Sequence, residues 1–297
     1  MGIFTRLKAL GARHKKSILI ALVLEIFVKF YQKKLFRKVT APFFNKTREP
    51  IGWVFVGGCY NSGTTLVKNI ILLHHSVSGM PIEGDQFSDA LADFETGGWA
   101  RCMYGNKNLI DQSRVDSVLD FEKIKADWSP WIEQDKYFID KSISHITRFR
   151  ELDRTFPNSK LVLVTRNVES VCSGIRKRSS PTSDAKSLLG TSDYSTELLN
   201  QQWAYLYGLA ITDMQMIDIH IIEYEELLNN PMEIVKKLYV FLNLPETSIK
   251  YERSRLTVSG NSLNIRSENL PKRSQLNSME KLEQAISKLN SLLPAKR

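Results

Sequence analysis

A glycine-rich stretch between two apolar runs is the first feature of the sequence that could do chemistry. It comprises Gly57-Gly58-Cys59-Tyr60-Asn61-Ser62-Gly63-Thr64-Thr65-Leu66, after a strand-like run at 53–56 and before a helix-like run at 66–73. Glycines let a backbone approach an anion closely, and the free N–H groups at a helix N-terminus favour negative charge. The layout is typical of a phosphate-binding loop, with a plain turn between a strand and a helix as the alternative.

Position 64 decides which phosphate chemistry this loop favours. Residues 58–65 fit the pattern G-x-x-x-x-G-K-[ST], except that Thr64 occupies the lysine position. That lysine reaches the β- and γ-phosphates of a nucleoside triphosphate, and a short hydroxyl cannot replace a long cation. The sequence therefore disfavours ATP hydrolysis. It favours a donor with a single phosphate at its 5′ end, held by loop amides and by the hydroxyls of Ser62, Thr64 and Thr65.

The loop resembles the 5′-phosphosulfate loop of the sulfotransferases that use 3′-phosphoadenylyl sulfate (PAPS). That family has S-G-T-T, which is present here as Ser62 to Thr65, and it usually has Lys or Arg before the serine, where this chain has Asn61. The resemblance implies that PAPS is the co-substrate. It also implies that the donor contacts Asn61, Ser62, Gly63, Thr64, Thr65 and Leu66.

A second motif lies at 137–167 and predicts two strands with a helix between them. The aliphatic run 161–164 is continuous, as expected of a strand buried in a parallel sheet. The segment resembles the family pattern strand-D/E-K-S/T-P, helix, F-P-N/D-A/S-K, strand, R-D/N-P. Ile143 replaces the proline that usually follows the lysine pair.

This second resemblance implies roles for Lys141 and Arg166. Lys141 ends a strand, where open α/β sheets bind ligands, and it would neutralise charge on the bridging and sulfuryl oxygens as the S–O bond breaks. A surface pair with Asp140 is the alternative. Arg166 ends a buried strand, where an arginine is unfavourable unless it meets an anion, and its planar fork suits the 3′-phosphate of PAPS.

The helix after Arg166 departs from the family pattern. The family usually places a serine for the same phosphate eight residues after the arginine, but that position is Gly174 here, and Ser173 precedes it. One residue turns a helix by about 100°, so Ser173 can bind the phosphate only if the helix is shifted or begins differently.

Glu83 is the predicted general base. In the family, a glutamate at the end of the strand after the first helix takes the proton of the acceptor hydroxyl. A bound anion raises the pKa of a neighbouring carboxyl group, which improves it as a base near neutral pH. Asp85 is the competing candidate, and a solvent-facing role for both acids is the other alternative.

Composition sets the class of protein and its partners. The chain has 297 residues and a net charge of +9, which suits anionic ligands such as a nucleotide, a sulfated acceptor or a lipid surface, and no nucleic acid is expected. Three cysteines lack metal-ligand or disulfide spacing, so no zinc site and no disulfide framework are expected. No metal is expected in the reaction either, because loop amides and cations would supply the positive potential. Strands at about 53, 138, 161 and 219 alternate with helical patterns, which predicts a P-loop-like α/β/α fold with a mostly parallel sheet.

The domain prediction separates residues 1–48 from a sulfotransferase domain at 49–297. Residues 17–28 are apolar apart from Glu25, and basic residues flank them within 13–38. Because a membrane span needs roughly 20 apolar residues, the segment predicts a basic helix on an anionic membrane surface, on the cytoplasmic side. The alternatives are a short tilted signal anchor of a single-pass Golgi enzyme facing the lumen, and a helix packed on the domain.

Two further segments are predicted to border the cleft. Residues 87–131 would form an acceptor-side wall, and their aromatic residues Trp99, Tyr104 and Trp128 would either line the cleft or fill the core. Lys272 and Arg273 resemble the C-terminal basic loop that family members close over the 3′-phosphate and adenine.

The predicted reaction is transfer of a sulfuryl group from PAPS to a hydroxyl or amine of an acceptor such as a carbohydrate, a tyrosine or a lipid. Two other functions stay open. One is a P-loop nucleotide kinase or GTPase. The other is a domain that binds a nucleotide or glycan without turnover, which the departures at Asn61 and Gly174 would support.

Overall fold

A five-stranded parallel sheet forms the centre of the fold in the computed structural model, which describes residue 32 and residues 49–116 and 118–245. The strand order is β2-β3-β1-β4-β5. Parallel strands end at one edge, so the loops after them meet there. The strands are β1 (Gly52–Gly58), β2 (Val77–Gly79), β3 (Tyr137–Lys141), β4 (Ser159–Thr165) and β5 (Ile219–Glu223).

Helices flank this sheet, as the predicted α/β class requires. They are α1 (Thr64–Leu72), α2 (Lys107–Asp116), α3 (Phe121–Trp128), α4 (Phe149–Thr155), α5 (Val168–Arg176), α6 (Ser183–Leu189), α7 (Thr196–Met214), α8 (Tyr224–Asn229) and α9 (Pro231–Phe241). The four strands predicted at about 53, 138, 161 and 219 are confirmed. β2 is the additional strand.

The core explains the continuous aliphatic strands. Residues 54–56 and 161–164 are buried, because helices cover both faces of a parallel sheet. At the start of β1, the side chain of Trp53 packs on Phe156 with ring centroids 5.0 Å apart. Trp128 is fully buried against the same cluster, and its Nε1 donates a hydrogen bond to Gly84 O at 3.1 Å. Of the two roles left open for Trp128, the core role is therefore the one observed.

Segment 87–131 consists of 3₁₀ turns, α2 and α3, and it is tied to α7 by polar contacts. Gln202 on α7 accepts a hydrogen bond from Tyr104 N at 3.3 Å and donates one to Arg101 O at 3.0 Å. Asp213 on α7 is buried and accepts from Arg114 on α2, with Nη2 and Oδ1 2.5 Å apart. These contacts hold the segment against the domain beside the carboxyl edge of the sheet.

Several predictions fall outside the described residues. The apolar run 17–28, Lys272 and Arg273 all lie there. Among the described residues, no helix combines the length and apolarity that crossing a membrane requires. The predicted membrane contact, the division at residue 48 and the C-terminal phosphate contacts stay predictions.

The Arg114 and Asp213 pair gives a test of this packing. Asp213→Ala leaves a mostly buried guanidinium without its carboxylate, so the free energy of unfolding in urea should fall by about 3 kcal/mol. Glu233→Ala is the matched control, because Glu233 pairs with Lys237 on the exposed face of α9. If Asp213→Ala changed stability no more than this control, the pair would have no structural role.

Candidate active site

The glycine-rich loop joins β1 to α1 and has the geometry of an anion-binding site. Gly63 caps α1 with a φ of 99°, and the first helical hydrogen bond runs from Val67 N to Gly63 O at 3.1 Å. The N–H groups of the first turn have no carbonyl partner within the helix and are available to a ligand. A Cβ at Gly63 would lie 2.3 Å from Tyr224 Cδ2, so only glycine fits this position.

Arg166 lies directly beside this loop. Its Nη1 donates a hydrogen bond to Asn61 O at 2.8 Å, and its Cζ lies 4.2 Å from the centroid of the Tyr224 ring. Trp203 Nε1 donates to Arg166 O at 3.0 Å and so fixes the backbone. The structure therefore brings together the loop and the arginine that were predicted to hold the two ends of one donor.

Tyr224 and the hydrogen bond of Trp203 are parts of the site that the sequence motifs did not reveal. Tyr224 begins α8 directly after β5, so its position at the end of a parallel strand was the available signal. Its ring supports the Arg166 guanidinium by a cation–π contact.

Glu83 and Lys141 form an ion pair at the same edge of the sheet. Lys141 Nζ donates to Glu83 Oε1, and the side chains are 8% and 27% exposed. Lys141 ends β3, and Glu83 follows the neighbouring strand β2. The alternative of a surface pair between Lys141 and Asp140 is wrong, because Asp140 is fully buried and bonded to other groups.

Asp140 anchors the turn that carries Glu83. Its Oδ1 accepts from Gly84 N at 2.8 Å, and its Oδ2 accepts from Ser142 Oγ at 2.8 Å and lies 2.6 Å from His145 Nε2. Burial alone would raise the pKa of Asp140, but the hydrogen bond and charge of His145, with Lys68 and Ser142, outweigh burial and lower it. Asp140 therefore stays ionised and keeps the backbone beside Glu83 in place.

Lys68 on α1 fixes the same turn from the other side. It is buried, and its Nζ donates to Met80 O at 2.5 Å and to Ile82 O at 3.4 Å. Burial lowers the pKa of Lys68, and the positive charge of Lys141 lowers it further, against the raising effect of nearby carboxylates. Lys68 thus holds the chain immediately before Glu83.

Asp85, the competing candidate for the base, occupies a different environment. Its Oδ2 accepts from Ser144 Oγ at 2.6 Å. Its Oδ1 is buried without a hydrogen-bond partner among the described residues. Burial raises the pKa of Asp85 to about 6. Glu83, rather than Asp85, contacts Lys141.

The helix after Arg166 presents glycine to the loop. Gly174 faces Asn61, and a Cβ at 174 would lie 2.9 Å from Asn61 Cγ. Ser173 is exposed on α5, one position away, and no side-chain contact joins it to the loop among the described residues. In this arrangement the residue beside the predicted phosphate site is Gly174, with Asn61 against it.

Of the remaining donor-loop candidates, Ser62 and Thr64 are buried, Leu66 is half-buried and Thr65 is exposed at the start of α1. Within the described ranges, no group of three or more His, Cys, Asp or Glu side chains could hold a metal ion. Positive charge at the site includes Lys141 and Arg166. It also includes Arg101 and Arg178, which both donate to Asn61 Oδ1.

Residues 53–248 match the family model described as the sulfotransferase family, which is well over half of the chain. The chain belongs to this sulfotransferase family. No curated protein sequence matches it significantly. Among solved structures, the chain is similar to sulfotransferase STF9 from Mycobacterium avium, with 13% identity, a TM-score of 0.50, and 86% of this chain and 79% of that chain covered.

A second similar structure is sulfotransferase STF1 from Mycobacterium tuberculosis H37Rv. It has 14% identity and a TM-score of 0.47, and the match covers 73% of this chain and 72% of that chain. The similarity to the Mycobacterium avium structure shows the shared fold. The family match extends from β1 beyond α9 and so includes every site residue described above.

The stability of the protein as a function of pH tests the buried environment of Asp85. Because burial raises the pKa of Asp85 to about 6 from an ordinary value of about 4, the folded protein keeps this proton where the unfolded chain loses it. The stability that Asp85 contributes is therefore full below pH 4, declines as the pH rises to about 6, and is lost above.

Asp85→Asn should remove this decline. The variant should gain stability relative to the wild type as the pH rises from 4 to 6, by about 2 kcal/mol. Urea unfolding of both proteins across this range measures the difference in their free energies of unfolding. The contributions of all other titrating groups cancel in this difference. A difference that stayed constant with pH would contradict the raised pKa.

Proposed function

We propose that the protein transfers a sulfuryl group from PAPS to a hydroxyl or amine of an acceptor. The observation that carries this proposal is the hydrogen bond between Arg166 and the backbone of Asn61, beside a loop whose lysine position is Thr64. A donor with one phosphate at each end of its ribose would span these two groups. The family match supports sulfuryl transfer as the class of reaction.

In the proposed mechanism, the loop amides and the Ser62, Thr64 and Thr65 hydroxyls hold the 5′-phosphosulfate, and Arg166 holds the 3′-phosphate. The acceptor oxygen or nitrogen attacks sulfur and forms the new bond, while the bond between sulfur and the bridging phosphate oxygen breaks. Glu83 takes the acceptor proton. Lys141 stabilises the negative charge that develops on the departing oxygen.

The ion pair between Glu83 and Lys141 has a consequence for this mechanism. While the two side chains are paired, the carboxylate is neutralised and is poorly placed to take a proton. The sulfuryl oxygens of a bound donor would compete for the Lys141 ammonium and release the Glu83 carboxylate towards the acceptor. Donor binding would thereby activate the base only when a sulfuryl group is present.

The two alternatives are less well supported. A kinase or GTPase needs a cation at position 64, and the family match concerns sulfotransferases. A binding domain without turnover would have no use for a carboxylate and an ammonium paired at the open edge of the sheet. Transfer of labelled sulfate from PAPS to a panel of acceptors separates turnover from binding alone.

Arg166→Ala should weaken binding of adenosine 3′,5′-bisphosphate at least about tenfold, because a charged hydrogen bond to phosphate is lost. Titration calorimetry gives the dissociation constant. Arg154→Ala is the matched control, because Arg154 is exposed in the last turn of α4. Unchanged affinity in Arg166→Ala would remove the 3′-phosphate assignment.

Glu83→Gln should lower turnover about 10²-fold or more while donor affinity stays within a few-fold of the wild type, because the amide cannot take the acceptor proton. Steady-state transfer of labelled sulfate measures turnover. Glu122→Gln, on the exposed first turn of α3, is the control. Retained turnover in Glu83→Gln would move the base to Asp85 or to another group.

A further inference from the structure

Three arginines from different parts of the chain converge on one neutral residue, Asn61. Arg178 Nη1 donates to Asn61 Oδ1 at 2.7 Å, and Arg101 Nη1 donates to the same oxygen at 3.4 Å. Arg166 Nη1 donates to the backbone oxygen of Asn61 at 2.8 Å. Because two guanidinium groups point at one side-chain atom, that atom must be the carboxamide oxygen and not the nitrogen.

The three guanidinium groups around Asn61 lack a carboxylate at salt-bridge distance in the described part of the chain; Glu95 accepts from the backbone N of Arg101 and not from its guanidinium group. Within residues 49–116 and 118–245, no carboxylate forms a salt bridge with any of these three guanidinium groups. Like charges held this close repel one another, so an anion that binds between the three guanidinium groups stabilises the arrangement. The cluster is therefore prepared for a ligand with more than one negative charge.

Two polar atoms in the cluster also lack partners. Asn61 Nδ2 and Arg166 Nε are both buried without a hydrogen-bond partner among the described residues. Both are donors only, and an unpaired buried donor is unfavourable. Phosphate oxygens accept several hydrogen bonds at once and are therefore suitable partners for such donors.

Gly174 makes room for the Asn61 side chain. A Cβ at 174 would lie 2.9 Å from Cγ, 3.0 Å from Cβ and 3.1 Å from Nδ2 of Asn61. These distances are too short for any other residue at 174 unless the carboxamide moves. Asn61 itself has a φ of 61°, a left-handed conformation that asparagine tolerates better than most residues.

We propose that Asn61 positions Arg101 and Arg178 for the 3′-phosphate of the donor nucleotide, and that Gly174 is required because it accommodates the Asn61 carboxamide. The inference rests on the proposed function and deepens it. Asn61 and Gly174, two of the positions at which the chain departs from the sulfotransferase pattern, then form one compensating pair. The carboxamide oxygen orders the two arginines, and Nδ2 donates to the phosphate beside Arg166.

The test compares two nucleotides that differ only in the 3′-phosphate. Adenosine 3′,5′-bisphosphate and adenosine 5′-monophosphate are titrated by calorimetry into the wild type and into Asn61→Gly. Glycine adopts the left-handed backbone of position 61 without strain, so this change removes the carboxamide alone. We expect about tenfold weaker binding of the bisphosphate and less than about twofold change for the monophosphate.

Asn61→Asp is the second variant and tests the role of Nδ2. The carboxylate keeps an oxygen for Arg101 and Arg178 but replaces the donor Nδ2 with a negatively charged acceptor that repels phosphate. Bisphosphate binding should weaken by more than tenfold, while the melting temperature without nucleotide stays at or above that of the wild type. A loss of binding by misfolding would instead lower the melting temperature.

Gly174→Ala tests the pairing of the two positions. The added methyl group displaces the carboxamide, so this variant should show the same selective loss as Asn61→Gly. The double variant should bind the bisphosphate no more weakly than either single variant, because both changes remove the same arrangement. Lys177→Ala is the control, since Lys177 is exposed in the same basic run and makes no described side-chain contact with Asn61.

The outcomes distinguish this inference from the proposed function. If the wild type bound the bisphosphate no better than the monophosphate, the proposed function and this inference would both fail. If the wild type discriminated but Asn61→Gly discriminated equally well, only this inference would be overturned. Equal losses of affinity for both nucleotides would assign the arginine cluster to the 5′ end of the nucleotide. Additive losses of affinity in the double variant would show that Asn61 and Gly174 act independently. Either result would overturn this inference.

Discussion

The hydrogen bond from Arg166 to the backbone oxygen of Asn61 is the interaction on which the rest of the site depends. It joins the end of β4 to the loop after β1, and these neighbouring strands are paired in register with Gly58 opposite Val164. The backbone hydrogen bonds of the sheet therefore set the distance between the anion-binding loop and the backbone of Arg166, while Asn61 O and the Tyr224 ring hold the guanidinium. Such a preorganised pair of anion sites suits a ligand with two separate phosphates.

The catalytic half of the site is held by buried polar groups beneath it. Asp140 and Lys68 bind backbone atoms on both sides of Glu83, and each is buried. Buried charges are unfavourable unless they are paired and hydrogen-bonded, so these groups specify one arrangement of the turn. The hydrogen bonds of Asp140 and Lys68 thus maintain the geometry that places Glu83 against Lys141.

The sequence predicted the parts of this structure that depend on local pattern. The aliphatic run of β4 and the glycines of the loop each carry their own signal, and so the sheet, the loop and Arg166 were predicted. β2 has only three residues, which is too short for a strand pattern to be recognised. The role of Trp128 could not be predicted, because a tryptophan in the core and a tryptophan that lines a cleft give the same sequence pattern.

Contacts between distant parts of the chain account for what the sequence did not predict. Tyr224 meets Arg166, and Arg178 meets Asn61, only because the sheet brings the ends of their elements to one edge. The contrast between Ser173 and Gly174 depends on the rotation of α5, where one residue turns the side-chain direction by about 100°. Likewise, Glu83 and Asp85 differ in the direction in which the turn presents them, and this direction is fixed by the bonds to Asp140.

The central claim is that one ligand bridges the loop and Arg166. The most direct measurement is a calorimetric titration of the unmodified protein with adenosine 3′,5′-bisphosphate, adenosine 5′-monophosphate and adenosine 3′-monophosphate under the same salt conditions. The account predicts that the bisphosphate binds at least about tenfold more tightly than either monophosphate, because both anion sites are then occupied together. A bisphosphate that bound no more tightly than the better monophosphate would contradict it.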